Sequence, residues 1–500
     1  LIVVARYLGP ANYGLYTRAL AAVGIFGSIG NLGVSTALNK FIAEYKAKGD
    51  SKKLSRLVSN SFLMLFVSGV VLTAVVYLLS GIITPYVLHT QQYTYIIQIA
   101  SMVILTSVIY SSTNYALIGF RDGRRVAISL TFEALVQAIV SIGFAIYGLG
   151  ALAPIVGIII GQAVASSAAL AFIFRDSSPG LKFAPSVAEI KRLIRFSMPI
   201  WLSNLSNSLV TNLSQIALGI IITGVSGALA ANVVLGNFGI ATKVGTIIAL
   251  ITTNATTAAS VESVLVSMFA GAMSSKEGKK NANRLYSYSM YYAFLLTSPI
   301  ILFIVALAQP ISFLAFSGHY LKAPLYISLM GIGMLISLLT NQTKTIFIGS
   351  NNVDTILKYD LLVAVIQAAV ALPLLYNLQG SGLIILLFVI APIISGFLYL
   401  RRAISEYKIA FDFGKLCRII LANIVAIALI LPLILLLDGQ YAVLLVAAAI
   451  ELVVVYPILI AVLRAVEMRD ISILKRLFEN VPAFGGIVSA LLDYSSRFIR

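Results

Sequence analysis

Four basic residues lie where a membrane-spanning chain does not ordinarily carry charge: Arg6, Arg18, Lys243 and Lys344 each fall inside a long apolar stretch. An unpaired cation in hydrocarbon costs about 2.5–3.5 kcal/mol, so such a residue either meets an internal ligand or reaches back to the surface. The ligand that fixed cations hold is an anion. Lys243 is the deepest, about 15 residues and so about 22 Å of helix from the outer end of its stretch. Lys344 stands near the inner end of its stretch, within reach of the surface. Arg18 lies close to an outer end and suits an outer gate or a surface anchor equally. Arg6 most simply anchors the outer end of its own helix. Among the acids, Glu133 stands four residues before Gln137 on one helical face. It could pair with an internal cation, the simpler role, or take part in proton coupling. Asp360, at the start of its stretch, is expected to be solvated, and Glu451 has no evident partner.

The stretch 196–222 carries Asn204, Asn207, Asn212 and Gln215 with Ser203, Ser206, Ser208, Thr211 and Ser214 between and beside them. Amides and hydroxyls are costly against lipid, so this helix is expected to line a polar passage suited to sugar hydroxyls, with Asn204 and Asn207 on one face. Hydrogen bonds between helices, each worth about 0.6–2 kcal/mol, are the plainer use for them. Cys417 is the one cysteine, and His89 and His319 lie far apart. Neither a disulfide nor a clustered metal site is expected, and no cofactor.

The elements that must position these residues are helices in lipid. Hydrophobic residues make up 60% of the 500 and charged residues 11%, far below the roughly 25% of a soluble domain. Continuous apolar runs fit helices; a transmembrane barrel would alternate with period two. The candidate spans are 1–8 (a remnant), 13–37, 58–80, 94–120, 126–148, 152–174, 196–222, 228–257, 285–308, 324–348, 359–377, 381–400, 419–437 and 441–463. The fold class is therefore all-α, a polytopic bundle of about fourteen transmembrane helices with the first one truncated. Of the 35 Lys and Arg residues, 30 lie in alternate connections and the C-terminal tail; the intervening connections hold Lys322 alone. That alternation explains the net charge of +17 as topology rather than nucleic-acid binding. It predicts a multi-pass protein of the cell membrane with its C-terminus in the cytoplasm. The tail repeats Ile471, Leu474, Leu477, Phe478 and Val481 between basic residues, the pattern of an interfacial amphipathic helix or of one that binds a partner.

A shift of 230 residues aligns Ala134-Leu-Val-Gln137-Ala138 with Ala364-Val-Ile-Gln367-Ala368, Gly119 with Gly349, and Gly150 with Gly380. With a small gap the basic loop 48–57 also meets 276–285. The shift spans an even number of helices, so the copies share one orientation, as in transporters with two lobes around a central site. The predicted organisation is an N-terminal lobe of six helices (1–192), a C-terminal lobe of six (193–415), two appended helices (416–464) and a cytoplasmic tail (465–500). Gln137 and Gln367 become paired candidates for the polar passage.

The opening Ala5-Arg6-Tyr7-Leu8-Gly9-Pro10-Ala11-Asn12-Tyr13-Gly14 resembles a stretch between the first two helices of Wzx-type polysaccharide flippases, in the multidrug/oligosaccharidyl-lipid/polysaccharide (MOP) exporter superfamily. Asn31-Leu32-Gly33-Val34 before the first basic loop, and Phe196-Ser197-Met198-Pro199, are similar to further motifs of that family. Where the family has a proline late in helix eight, Val261-Glu262-Ser263 stands instead. The resemblance implies a V-shaped pair of lobes that moves a lipid-linked oligosaccharide from the cytoplasmic to the outer leaflet. It also implies membrane lipids, that substrate and polysaccharide-assembly proteins as partners. Burying an unsatisfied sugar hydroxyl costs on the order of 2–7 kcal/mol, which a polar passage avoids. Lys243, Arg18, Lys344 and Arg6 would then meet the lipid-linking phosphate. A multidrug antiporter of the same superfamily and a non-transporting assembly partner are the rivals. A metal-dependent glycosyltransferase fits poorly, because the outer connections carry a single acid, Asp438.

Overall fold

The computed structural model describes residues 2–120, 122–176, 187–256, 278–350, 352–409, 413–437 and 439–472, together with Tyr494. Among them the secondary structure is helical. The elements are α1 (Ile2–Asn31), α2 (Val34–Ala47), α3 (Ser51–Leu88), α4 (Thr94–Gly119), α5 (Gly123–Ile146), α6 (Leu152–Asp176) and α7 (Val187–Thr256). There follow α8 (Gly278–Ala306), α9 (Ala308–Phe316), α10 (Ala323–Gly349), α11 (Val353–Ile384), a π-helical turn (Ile385–Ile390), α12 (Ala391–Tyr407), α13 (Phe413–Leu436) and α14 (Tyr441–Val462). In hydrocarbon each backbone N–H and C=O has to be satisfied within its own segment, which is why continuous apolar runs become continuous helix. Among the described residues, ten helical segments are long and apolar enough to cross a bilayer. Two of these, Ile190–Ile248 and Asp354–Tyr407, hold 59 and 54 residues, far more than the roughly 20 that one crossing needs.

Breaks divide the long segments where the sequence places short connections. Gly9 (φ 66°) separates two legs of α1, and Pro10 begins the second leg at a position where a missing N–H does no harm. Gly227 (φ 85°) does the same inside α7, and Gln379 (φ 47°) breaks α11. The basic segment 38–57 differs from a simple loop. Leu32 and Gly33 both take positive φ, and the chain continues as α2, whose Leu38 and Ile42 are fully buried beside Leu57 and Val58 of α3. The connection 309–323 likewise contains the short helix α9.

The described helices form two compact units. The first is Leu1–Ile240 with Asn352–Leu387, and the second is Ala241–Asn351 with Phe388–Arg500. These divisions differ from the predicted boundary at 192–193. The first leg of α7 is held within the first unit by Trp201, whose Nε1 donates to the Ser28 carbonyl at 3.1 Å, and by Ser203, whose hydroxyl donates to Asp360 of α11. In the first unit α5 and α6 meet through Gly157 and Gly161, which leave room for Ser141 and Gln137. Small residues at close helix approaches are the usual packing device in lipid.

In the second unit α8, α13 and α14 pack around Leu295, Ile419 and Tyr456. The start of the tail docks there as well. The Tyr291 hydroxyl donates to the Ala465 carbonyl at 2.7 Å, the Tyr292 hydroxyl donates to Asp470 at 2.8 Å, and Ile471 is buried. The rest of the predicted amphipathic tail, Asp438, and Val261-Glu262-Ser263 lie outside the described residues.

Candidate functional site

The second leg of α1 and the second leg of α7 touch backbone to backbone within the first unit. A Cβ added to Gly14 would stand 1.7 Å from the Asn232 carbonyl oxygen, and one added to Gly236 would stand 2.1 Å from the Pro10 carbonyl oxygen. The two contacts are reciprocal: Pro10 and Asn232 are separated by the same interval as Gly14 and Gly236, so each helix offers a glycine to the other's carbonyl four residues upstream. This contact lies at the helix ends remote from the basic connections.

Arg18 stands one turn beyond Gly14 on the same face, and it is only 2% exposed. Its guanidinium donates to Asn232 Oδ1 at 2.7 Å and to the Val87 carbonyl, tying α1 to α7 and to the end of α3. Its Nε and one Nη lie close to Gly219 of the first leg of α7. Both of these acceptors are neutral, and among the described residues no carboxylate pairs with this cation. The side chain is therefore a buried charge held by dipoles, an arrangement that an anion can join without displacing a counterion.

His89 closes α3 in the left-handed conformation beside this cluster. Burial, chiefly, and the nearby charge of Arg18 hold its imidazole below the usual range, while a backbone hydrogen bond at Gly219 works the other way. A histidine with a lowered value in this packing takes up its proton more readily once the end of α3 separates from Arg18 and Gly219. The contribution of neutral His89 to that packing is thus present above the ordinary value of about 6.5 and is lost as the pH falls below it. With Cys417→Ser as background, Ala11→Cys should be labelled faster by an impermeant thiol reagent at pH 5.5 than at 7.5, values chosen to bracket about 6.5, once each rate is divided by that of the same variant unfolded at the same pH, which removes the change in thiolate fraction. His89→Gln should remove that difference; an identical pH response in this variant would count against the assignment.

The polar residues of the first leg of α7 divide by direction. Asn212 donates to the Ser208 carbonyl at 2.8 Å and to the Ser208 hydroxyl at 3.0 Å, next to Gly24 of α1. Ser208 meets Ser28, and Ser203 serves Asp360, so this part of the set bonds helix to helix. Asn204 and Asn207 are instead exposed. Asp360 corrects the expectation of a solvated acid. Helix α11 begins at Val353, seven residues before it, and the carboxylate is 3% exposed against Ser203.

The remaining candidates are dispersed. Gln367 is 3% exposed and its Nε2 donates to the Leu386 carbonyl at 2.9 Å, satisfying an oxygen of the π-helical turn. Gln137 is half-buried where α5 meets Gly161 of α6, and half-buried Glu133 acts electrostatically on Tyr110. Lys344 holds its ammonium 5.3 Å from the centre of the buried Tyr399 ring. Arg6 is exposed on the first leg of α1. Lys243 is half-buried in the second leg of α7, and its ammonium has no ion pair or hydrogen bond among the described residues. Asn232 had no distinguishing sequence signal beyond its place five residues after Gly227.

A family model described as polysaccharide biosynthesis protein matches residues 1–261. No match was found among curated protein sequences. Among solved structures the chain is similar to the lipid II flippase MurJ in an inward closed conformation, with 12% identity, a TM-score of 0.66, and 91% of this chain and 95% of that one covered. It is similar to an inward-facing multidrug resistance MATE family transporter of the MOP superfamily, with 16% identity, a TM-score of 0.64, and 81% and 94% covered. A MOP superfamily transporter from Pyrococcus furiosus matches with 17% identity, a TM-score of 0.57, and 82% and 96% covered. At these identities the likeness is one of fold. The match over residues 1–261 and the multi-pass helical architecture agree: the chain belongs to the polysaccharide biosynthesis protein family, with the fold of the MOP-superfamily exporters.

Proposed function

We propose that this protein is a flippase that carries a lipid-linked oligosaccharide, joined through phosphate or pyrophosphate, from the cytoplasmic to the outer leaflet by alternating access. The observation that carries this reading is Arg18: a deeply buried cation whose acceptors are neutral, placed where the second legs of α1 and α7 meet. Charge of that sign suits a phosphate, and the exposed Asn204 and Asn207 suit sugar hydroxyls. Lys243 supplies a second cation deep in its helix. The multidrug antiporter reading draws on the same fold, with a TM-score of 0.64 against 0.66 for the flippase. The sign of the buried charge and the polysaccharide family model favour the anionic, sugar-bearing substrate.

In this reading the end of the bundle bearing Gly14 and Gly236 faces outward and is closed here, and the C-terminus lies in the cytoplasm of the cell membrane. Cells lacking the protein should accumulate lipid-linked oligosaccharide in the cytoplasmic leaflet. Absence of accumulation together with altered drug sensitivity would replace the flippase by the antiporter. Lys243→Ala should insert normally and reduce glycan export by about tenfold or more, the worth of one lost charge-assisted contact of about 1.5–3 kcal/mol. Unchanged export in that variant removes Lys243 from the substrate path.

A further inference from the structure

Helix α14 carries an acid that the proposed transport path does not use. Glu451 lies near the middle of α14, about 15 Å from either end. It is 8% exposed, and neither carboxyl oxygen has a hydrogen-bond partner among the described residues. The carboxyl borders a cavity of about 10 Å³, the least that holds one water. Pro299 and Phe303 of α8, Asn423 and Ile427 of α13, and Tyr456 of α14 wall it in.

The donors nearby are committed elsewhere. The Tyr456 hydroxyl donates to the Leu295 carbonyl at 3.1 Å. Asn423 Nδ2 donates to Ser298 Oγ at 2.8 Å and to the Ile419 carbonyl at 3.0 Å. Tyr456 is the one other titratable group on the described wall. On the elements packed against α14, the ionisable groups sit away from the cavity. Tyr291 and Tyr292 of α8 hold Asp470 in the tail, and Lys415 of α13 pairs with Glu467 at 2.6 Å. Arg418 of α13 donates to the Arg464 carbonyl, and α9 carries no ionisable side chain.

A carboxylate alone in such a place is among the most expensive groups a membrane protein can hold. Something positive therefore occupies it when it is in this arrangement. The cavity is too small for an organic cation. A hard metal ion needs about six oxygens, and the side chains of the wall offer the carboxyl, the Asn423 amide oxygen and the Tyr456 hydroxyl. What fits is a proton.

We infer that Glu451 is a proton-binding site, and that its occupancy sets how tightly α14 seats against α8 and α13. Bound, the proton leaves a neutral acid that the apolar wall accepts. Released, it leaves a charge that water has to reach, which requires the three helices to part. The site lies outside the proposed substrate residues and stands whether or not the transported species is a glycan.

The full chain in lipid vesicles tests this with a hydrophobic carbodiimide, which modifies protonated carboxyls in apolar surroundings. Glu451 should be modified at neutral pH and progressively protected as the pH is raised, and Glu451→Gln should lose that modification. A second measurement reads the seating: Ala426→Cys and Leu452→Cys, in the Cys417→Ser background, should crosslink less as the pH rises. With Glu451→Gln added, which keeps the shape and stays neutral, crosslinking should be high and independent of pH. Absence of modification at Glu451, modification that does not change with pH, or pH-independent crosslinking with the native glutamate would each overturn the inference. None of these readouts involves the glycan, so they fail or succeed separately from the flippase reading.

Discussion

Gly14→Ala should pry apart the helix ends that Arg18 ties together. The added methyl would stand 1.7 Å from the Asn232 carbonyl oxygen, a backbone atom that cannot rotate away. Relief has to come from separating the second legs of α1 and α7, and overpacking of this kind costs about 1–3 kcal/mol, occasionally more. In the proposed alternating-access cycle closure is one of two competing arrangements, so a bias of that size would shift the population by about tenfold or more. The expected result is strong labelling of Ala11→Cys by an impermeant thiol reagent, with export falling because the cycle no longer closes on that side. Gly236→Ala meets the Pro10 carbonyl oxygen and should act alike. The double variant should fall well short of additive, since one separation relieves both clashes. Gly81→Ala, with open space where its methyl would go, is the control and should leave labelling unchanged. Native-like protection of position 11 in Gly14→Ala would show that this contact does not close the protein.

The parts of the structure that were legible in the sequence are those fixed by short-range physics. Apolar runs had to become helices, and Gly9-Pro10 and Gly227 mark breaks because glycine tolerates positive φ and proline opens the next turn. The alternation of lysine and arginine separated the spans even where the helices run on through a kink. Arg18, Lys243 and Glu451 were visible as anomalies, since a charge inside an apolar run demands an explanation. Their surroundings were not. Asp360 is buried because Ser203 reaches it from 157 residues away, and Gln367 is consumed by a carbonyl freed in a π-helical turn that no periodicity announces. Asn232 looked like any polar residue of a span until it met Arg18, 214 residues distant. The polar density of residues 196–222 stood out in the sequence, yet it splits into a helix-packing part and an exposed part. That division depends on which neighbours α7 has, and a single helix cannot declare them.

Arg18 carries the second large effect, and two substitutions separate its two proposed roles. Arg18→Ala removes the cation and leaves the Asn232 amide oxygen and the Val87 carbonyl without their donor. Each unsatisfied buried group costs about 1–3 kcal/mol, so closure should weaken by about 2–6 kcal/mol for the pair. Arg18→Lys keeps the charge but offers a compact ammonium in place of a planar fork, and it cannot serve two acceptors on different helices with the same geometry. Labelling at position 11 should therefore rise in both variants, and more in the alanine variant. Export distinguishes the roles. If Arg18 only ties the helices, the loss of export in each variant should follow the rise in labelling along one line, and Gly14→Ala should fall on it. If the guanidinium also receives the phosphate once Asn232 has moved away, Arg18→Ala should export about tenfold less than that line predicts, the worth of a charge-assisted contact, while Arg18→Lys stays near it. Adding Asn232→Ala to Arg18→Ala should worsen labelling little, because the same bond is already gone, and should leave that export deficit in place. A deficit that vanishes once labelling is matched would leave Arg18 as a tie between helices and return the anion to Lys243.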